Sequence, residues 1–496
     1  MAPLKHLLPL ALAALLFACG SPDPAGTDPT TTAAPDPPEG RLADRMDRFL
    51  ADAAEAGFNG SVLVSRAGRT VLDKGYGLRD REQALPNGPA TVHAIGSITK
   101  QFTAACILKL QEQGRLRVED SLSEHLPGVP PDKRGITLHH LLTHSAGFPG
   151  AIGDDNTAID GADFTRMAFG SPLMFAPGTG YEYSNVGYSL LGIVVEHVSG
   201  MALEDFLRSA LLGPAGLAHT AYRFADPATE ELAIGYRKDG TRWGTMLDHP
   251  TVNGGPGWHL RGNGGMLSTT HEMAAWVQAL HDRKVLSDAS VKAMFTPHVE
   301  EGQGAGSHYG YGWALFRTPR GTRLITHNGG NGVQFADVLW YADEGVTVVV
   351  MSNADQRGMQ DLAWDLGRMV FDSTYAPRLP QAATALEGVP DGPVGDRMKA
   401  LSAMIAAGGD DAVLAAWLME NLGPGFLDMM LIGEHVGMFK RLHADIGAHT
   451  IEGVEQLSPE EYVLKVKRSV GNGRFRILLQ MRPVDARIAG MGVEME

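Results

Sequence analysis

The chain has 496 residues, of which 44% are hydrophobic and 20% are charged, and this composition excludes wholesale disorder. Its formal net charge is −15, and an acidic chain without a long run of lysine and arginine is a poor binder of nucleic acid. It has two cysteines, Cys19 and Cys106, which are too few for a disulfide framework or a cysteine-rich zinc site.

Residues 1–18 have the features of a bacterial lipoprotein signal peptide. Lys5 precedes an apolar run over 7–18, which is shorter than the about 20 residues that span a bilayer. The letters LFAC at 16–19 resemble a lipoprotein processing site, so we expect lipid on Cys19. The alternative is a plain cleaved signal followed by an incidental cysteine. We expect export to the cell envelope, with Cys19 holding the chain on a membrane, periplasm-facing or at the outer membrane.

Residues 19–40 are rich in proline and threonine and contain no lysine or arginine. Such a segment cannot form a core, so we predict an extended tether.

Residues 41–372 carry strand patterns at both ends, with mostly loops and helices over 115–320. In chain order, the patterns predict a helix over 41–56, strands over 60–66 and 70–76, helices over 97–113 and 270–281, strands over 323–326, 333–341 and 346–351, and a helix over 358–371. The simplest topology joins the two ends in one antiparallel sheet and packs the middle against it, which is an α+β fold.

Residues 373–395 contain four prolines and are predicted to be a linker. The patterns beyond it predict helices over 396–407, 410–421 and 426–443, then strands over 449–456, 461–470, 474–482 and 487–495. We therefore expect a small α+β domain over 396–496, whose element order resembles cystatin-like and NTF2-like domains.

Ser97 and Lys100 are the first candidates for chemistry. They stand three residues apart at the start of the predicted helix over 97–113, so both side chains lie on one face. A serine hydroxyl is a weak nucleophile until a base takes its proton, and an amine with a lowered pKa can do so. The alternative is a capped helix with a surface lysine. Cys106 lies in the same apolar helix, which favours a buried inert thiol.

Tyr183 and Asn185 are the second pair of candidates. A phenol beside an ammonium loses its proton more easily and can act as acid and base. Asn185 would hold both Lys100 and a substrate carbonyl. The alternative is an aromatic packing corner.

The third candidate is the segment His327-Asn328-Gly329-Gly330 at a strand end. A glycine pair in a strand lets a ligand approach the backbone closely. The N–H groups of Gly330 and Ser97 would then stabilise an oxyanion, and one such donor lowers a barrier by about 2.7–4 kcal/mol.

The sequence lacks the Gly-x-Ser-x-Gly, His-Glu-x-x-His and P-loop motifs. His140 and His144 have the i, i+4 spacing of a metal pair, with His139 beside them, but no third ligand is evident nearby. We therefore favour a short helix whose histidines hydrogen-bond in a packed corner.

The three boxes, in this order, resemble those of the penicillin-recognising serine hydrolases. Class C β-lactamases, DD-carboxypeptidases, D-aminopeptidases and related esterases form the branch that is most similar. Its boxes are Ser-x-x-Lys, Tyr-x-Asn and Lys/His-x-Gly, which stand here at 97–100, 183–185 and 327–329. The flanking stretches 136–147, 183–192, 264–269 and 311–313 are also similar, and the resemblance covers residues 41–372.

The resemblance implies an antiparallel sheet flanked by helices, a mostly helical lobe, and a site between them. It implies that Ser97 attacks the acyl carbon while Lys100 and Tyr183 pass its proton to the leaving group. It assigns the oxyanion to the N–H groups of Ser97 and Gly330, with Asn185 and His327 orienting the substrate. Water then releases the acyl group, and no metal or organic cofactor is needed.

The third box departs from the Lys-Thr/Ser-Gly of many β-lactamases, whose cation and hydroxyl help to bind a substrate carboxylate. His327 is only partly charged near neutral pH, and Asn328 offers an amide. We therefore expect an acyl-enzyme hydrolase of small esters, amides or peptides, an esterase or D-amino-acid peptidase rather than a strong β-lactamase. One alternative is a non-catalytic envelope sensor or scaffold that retains the pocket. Another makes the C-terminal domain the functional module and the hydrolase its carrier.

Overall fold

The structure is a computed structural model that describes residues 39–227, 230–237, 240–249, 251–252, 254–302, 306–354, 361–377, 379, 384–427, 431–471 and 473–495. The predicted signal peptide, Cys19 and nearly all of the predicted tether lie outside the described residues. The described chain divides into two compact units, the first ending at Leu379 and the second starting at Thr384.

Within the described residues, the first unit is built on an antiparallel sheet of eight strands. These strands are β1 (Gly60–Arg66), β2 (Arg69–Tyr76), β3 (Val299–Glu300), β4 (Ser307–Tyr309), β5 (Ala314–Arg317), β6 (Arg323–Gly330), β7 (Phe335–Tyr341) and β8 (Val346–Ser352). Their order across the sheet is β3-β4-β5-β6-β7-β8-β1-β2. The N-terminal hairpin therefore pairs with the last strand, Gly60 opposite Ser352, which confirms the predicted joining of the two ends.

Three strands were not expected, because residues 115–320 were predicted to be loops and helices. β3, β4 and β5 have two to four residues each, so none of them carries a run long enough to show alternation. They extend the sheet beyond β6. Tyr309 is the last residue of β4, which is separated from β6 by β5.

The principal helices of this unit are α1 (Glu39–Glu55), α2 (Thr99–Glu112), α3 (Leu138–Leu142), α4 (Asn185–Ser199), α5 (Thr270–His281) and α6 (Leu362–Phe371). The predicted helix over 97–113 begins two residues later than expected, because a 3₁₀ turn over Gly96–Ile98 precedes α2. Ser97 therefore lies in this turn and not in the α-helix. α5 is capped by Thr269, whose hydroxyl accepts the N–H of Glu272.

Shorter helices and strand pairs fill the lobe between the two ends of the sheet. The helical segments are Leu122–His125, Pro131–Lys133, Gly161–Gly170, Leu203–Leu207, Arg208–Leu212, Gly213–Ala215, Met246–Asp248 and Asp288–Met294. The strand pairs are Leu78–Asp80 with Leu85–Pro86, His93–Ala94 with Leu267–Ser268, Gly235–Tyr236 with Arg242–Gly244, and Thr251–Val252 with Gly255–Pro256.

The two faces of the sheet bury different cores. Because side chains alternate along a strand, Val62 and Val64 of β1 lie on one face and Leu63 on the other. The first face packs against α1 and α6, while the second packs against α5 and the helical lobe around α2. α2 is buried on almost every side, so its first turn sits inside the protein next to the sheet.

The second unit is a small α+β domain, as predicted. It contains α7 (Pro393–Ala407), α8 (Asp411–Asn421), a turn of helix over Pro424–Leu427, α9 (Ile432–Ile446), and the strands β9 (Thr384–Leu386), β10 (His449–Ser458), β11 (Glu461–Arg468), β12 (Arg474–Met481) and β13 (Ile488–Met495). These strands form one antiparallel sheet in chain order.

The predicted linker over 373–395 contains regular structure, which differs from the expectation. β9 pairs with β10, and α7 begins at Pro393, where a proline is tolerated because the first helical N–H has no partner to lose. The predicted helix over 426–443 is divided between the turn over Pro424–Leu427 and α9.

Among the described residues, no single helix has the length and apolarity to cross a bilayer. The segments Asn185–Ser199 and Leu203–Ala215 meet that requirement only as a pair, with a bend of 78° between them.

Candidate active site

Ser97 lies where the 3₁₀ turn over Gly96–Ile98 presses against the end of β6. A Cβ atom at Gly329 would stand 2.1 Å from the carbonyl oxygen of Ile95 and 2.5 Å from the nitrogen of Ser97. A Cβ atom at Gly96, which has φ +49°, would stand 2.4 Å from the nitrogen of Gly330. The turn and the strand can approach this closely only because positions 96 and 329 are both glycine. We call this contact between the turn and the end of β6 the seam, and the backbone nitrogens of Ser97 and Gly330 both lie at it.

Lys100 is fully buried in the first turn of α2. Its Nζ lies 3.0 Å from Ser97 Oγ, and it donates to Asn185 Oδ1 at 2.7 Å and to the carbonyl oxygen of Asn263 at 2.9 Å. Burial lowers the pKa of Lys100 well below its usual range, while the carboxylate of Asp155 acts in the opposite direction. A neutral amine in this place has a lone pair that can accept the Ser97 proton.

Tyr183 is half-buried, and its ring centroid lies 4.7 Å from Lys100 Nζ. Burial raises the pKa of its phenol, and a hydrogen bond with Ser97 offsets part of this rise. The direction of this shift is opposite to the lowering expected from a neighbouring ammonium, because the desolvation of the phenolate is its largest cause. Tyr183 is a protonated phenol beside Ser97, so it can donate a proton.

Asn185 is the first residue of α4, and the hydroxyl of the preceding Ser184 caps the helix by accepting the N–H of Gly187. The Asn185 N–H donates to the carbonyl oxygen of Gly150 at 2.8 Å, which fixes its backbone. Its side chain already holds Lys100, as the spacing of the second box predicts.

His327 is buried, and both of its ring nitrogens have partners within the protein. The Tyr309 hydroxyl donates to Nε2 at 2.9 Å, and Nδ1 donates to the carbonyl oxygen of Asn328 at 2.6 Å. Burial first, and then Lys100, lower the pKa of His327 to about 3. The ring is therefore neutral, which corrects the expected partial charge, while its expected part in orienting the substrate stays a prediction. Asn328 is exposed on β6 and leaves an amide open to solvent.

The three histidines of the predicted packed corner have separate partners. His139 Nδ1 lies 2.8 Å from the Tyr311 hydroxyl. His140 Nδ1 accepts the N–H of Thr137 at 3.2 Å, and His144 Nδ1 accepts the N–H of Ser184 at 2.9 Å. The three imidazoles therefore make their hydrogen bonds to three different segments of the chain. In the part of the chain that the structure describes, no group of three or more histidine, cysteine or acidic side chains is arranged for a metal ion.

Two features of the neighbourhood were missed by the sequence analysis. The first is Asn263, whose backbone carbonyl oxygen accepts a hydrogen bond from Lys100. The side-chain amide of Asn263 donates to Ser189 Oγ at 2.8 Å and to the carbonyl oxygen of His259 at 2.7 Å. Tyr309 holds His327 from a strand that was not expected. A backbone carbonyl has no sequence signature. Asn263 does, however, directly precede the stretch at 264–269 that resembles the penicillin-recognising serine hydrolases. Cys106, by contrast, is buried with a raised pKa, as predicted for an inert thiol.

The fold and these boxes define the β-lactamase and penicillin-binding class of protein. The family model described as Beta-lactamase matches residues 42–368. The chain belongs to this family of serine hydrolases.

Curated relatives agree with this assignment. Penicillin-binding protein 4* of Bacillus subtilis is 29% identical, over 60% of this chain and 69% of its own length. The putative penicillin-binding protein PbpX of the same organism is 32% identical, over 55% of this chain and 66% of its own. Protein flp of Staphylococcus aureus (strain COL) is 27% identical, over 65% of each chain. The matched regions thus span about two thirds of these relatives.

Two solved structures share the fold. The penicillin binding protein from Bacillus halodurans has a TM-score of 0.56 at 26% identity, covering 66% of this chain and 98% of its own. The octameric penicillin-binding protein homologue from Pyrococcus abyssi has a TM-score of 0.61 at 22% identity, covering 91% and 95%. The second likeness concerns the fold alone, and its coverage extends beyond the first unit.

Proposed function

We propose that this chain forms an acyl-enzyme on Ser97 and hydrolyses an ester, amide or peptide. The observation that carries the proposal is the 3.0 Å hydrogen bond between Ser97 Oγ and the fully buried Nζ of Lys100. A buried amine is neutral at a lower pH than an exposed one, so it can serve as a general base for the hydroxyl.

In acylation, the lone pair of Lys100 takes the Ser97 proton as Oγ bonds to the acyl carbon. The N–H groups of Ser97 and Gly330 stabilise the oxyanion at the seam between their backbones. The bond to the leaving group then breaks, the phenol of Tyr183 supplies the proton that group needs, and the Lys100 ammonium restores the phenol. In deacylation, water attacks the acyl carbon, the neutral amine of Lys100 takes the water proton, and that proton passes to Ser97 Oγ as the ester bond breaks.

The substrate class follows from the third box. A neutral His327 held by Tyr309 supplies no fixed cation for a substrate carboxylate. We therefore favour esters or D-amino-acid peptides over β-lactams that need a carboxylate anchor.

Active-site-directed labelling with a fluorophosphonate tests the nucleophile and its base. The wild type is expected to be labelled and Ser97→Ala unlabelled, while Lys100→Met is expected to react about 10²–10⁴-fold more slowly. Ser209→Ala changes an exposed serine, and Lys109→Met changes a lysine of the same helix that bonds Glu112, so both are controls that keep labelling. Labelling of Ser97→Ala at the wild-type level would contradict the assignment.

A substrate panel separates the activities. p-Nitrophenyl esters and D-amino-acid amides are expected to turn over faster than a chromogenic cephalosporin, and Ser97→Ala is expected to abolish all turnover. Stoichiometric labelling without turnover on any member of the panel would favour a non-catalytic sensor or scaffold.

We also propose that the protein is exported and anchored in the cell envelope by lipid on Cys19. The support is the lipoprotein-like sequence of residues 1–19. Incorporation of a clickable fatty acid is expected in the wild type and is expected to be lost in Cys19→Ala. Equal incorporation in both proteins would contradict the anchor.

A further inference from the structure

We propose that His144 is the positioning residue that holds Tyr183 beside Ser97. This inference rests on the proposed function, because it concerns the placement of the proposed proton donor. Tyr183 belongs to the irregular segment over 171–184, between the helix Gly161–Gly170 and the start of α4, so no regular element fixes its backbone. A catalytic side chain needs placement within about 0.5 Å, so something else must supply the rigidity.

His144 holds the backbone on both sides of Tyr183. Its carbonyl oxygen accepts the N–H of Glu182 at 2.9 Å, and its ring Nδ1 accepts the N–H of Ser184 at 2.9 Å. The imidazole also lies against the ring of Tyr183, with 4.3 Å between ring centroids and 35° between planes. One residue therefore fixes the two flanking amides and one face of the phenol ring.

His144 is itself held rigidly. It is 1% exposed, and its ring packs at 4.6 Å from Tyr309 and 5.1 Å from Tyr188. Its backbone has φ +59°, a conformation that is uncommon outside glycine and in which histidine and asparagine are enriched. A strained backbone in a buried place persists only when its surroundings fix it, and such places cluster at functional sites.

The chemistry of the ring matches this role. Nδ1 accepts a hydrogen bond only while it is unprotonated, and burial together with Lys100 and His327 lowers the pKa of His144 well below its usual range. Nε2 has no hydrogen-bond partner among the described residues, so the positioning is done by Nδ1 and the ring face. The i, i+4 histidine pattern thus serves the placement of a tyrosine.

A double-mutant cycle in the full chain tests the proposal. His144→Phe keeps a ring and removes the acceptor, and it is expected to lower kcat for a p-nitrophenyl ester about 10- to 100-fold with little change in KM, because a displacement of about 1 Å has such an effect. Tyr183→Phe is expected to lower kcat at least as much. The double variant should be close to Tyr183→Phe alone, because His144 acts through Tyr183.

Companion variants keep the test informative if the phenylalanine protein does not fold. His144→Asn retains the tolerance for positive φ and places Oδ1 where Nδ1 accepts, so it is expected to retain more activity than His144→Ala at equal thermal stability. His140→Asn changes a neighbouring histidine whose Nδ1 accepts a different backbone N–H, and it is expected to retain wild-type kcat.

Losses that multiply in the double variant, a wild-type kcat in His144→Phe, or a wild-type kcat in Tyr183→Phe would each overturn the proposal. Equal activity of the asparagine and alanine variants would also overturn it. All of these leave the Ser97-dependent fluorophosphonate labelling intact, so they are distinguishable from a failure of the proposed function.

Discussion

Replacement of Gly329 by alanine should separate β6 from the turn that carries Ser97. The new Cβ would lie 2.1 Å from the carbonyl oxygen of Ile95 and 2.5 Å from the nitrogen of Ser97, whereas ordinary contact begins at 3.4 Å. Both neighbours are backbone atoms, so no side-chain rotation relieves the overlap. The strand or the turn must move by about 1 Å, and a misplacement of that size costs about 10²-fold in rate.

The assay for this variant is kcat/KM on a p-nitrophenyl ester, together with a urea unfolding curve. We expect a loss of about 10²-fold in kcat/KM and about 1–3 kcal/mol in the free energy of unfolding, since overpacking strains the native state. Gly170→Ala is the control, because a Cβ there meets nothing within 4 Å. Activity of Gly329→Ala within about twofold of the wild type would refute the steric reasoning for this seam.

Two further predictions concern protonation and burial. Because the proposed mechanism uses Lys100 as a base and burial lowers its pKa, kcat/KM is expected to rise with pH and to level off well below pH 10.5. A pH profile with its midpoint near the ordinary lysine pKa of 10.5 would contradict this role. Tyr309→Phe removes the donor to His327 Nε2 and leaves a buried nitrogen unpaired, so the free energy of unfolding measured in urea should fall by about 1–3 kcal/mol. An unchanged unfolding midpoint and slope would show that this hydrogen bond contributes nothing.

The long strands β7 and β8 were predictable because each is a largely apolar run of seven residues, with a turn between the two. The seven-residue strand β8 is entirely buried, and the hairpin of β1 and β2 has a clear turn between two patterned runs. The three short strands over residues 299–317 were not predictable, since their pairing depends on β6, which comes later in the chain. The strand β9 was missed because prolines stand on both sides of it and because its partner β10 lies more than 60 residues away in sequence.

The candidate site divides in the same way between local and long-range information. The spacing of Ser97 and Lys100 is local, so the sequence placed both groups on one face, and the structure joins them at 3.0 Å. The roles of the Asn263 carbonyl and of His144 depend on contacts between distant segments, 163 residues apart in the first case. Burial, which sets the protonation of Tyr183, is likewise a property of the folded chain.

The neutral imidazole in the third box connects substrate preference with the basicity of Lys100. His327 is close enough to Lys100 for the amine to lower the pKa of the imidazole, so a fixed cation at this place would face Lys100 in turn. Like charges disfavour each other's charged form, and a second buried cation would lower the pKa of Lys100 further. With a neutral His327, burial and Asp155 are left to set this pKa. The same residue that supplies no carboxylate anchor therefore leaves the pKa of Lys100 higher than a cation would, so each neutral amine is a stronger base while a smaller fraction of amines is neutral at a given pH.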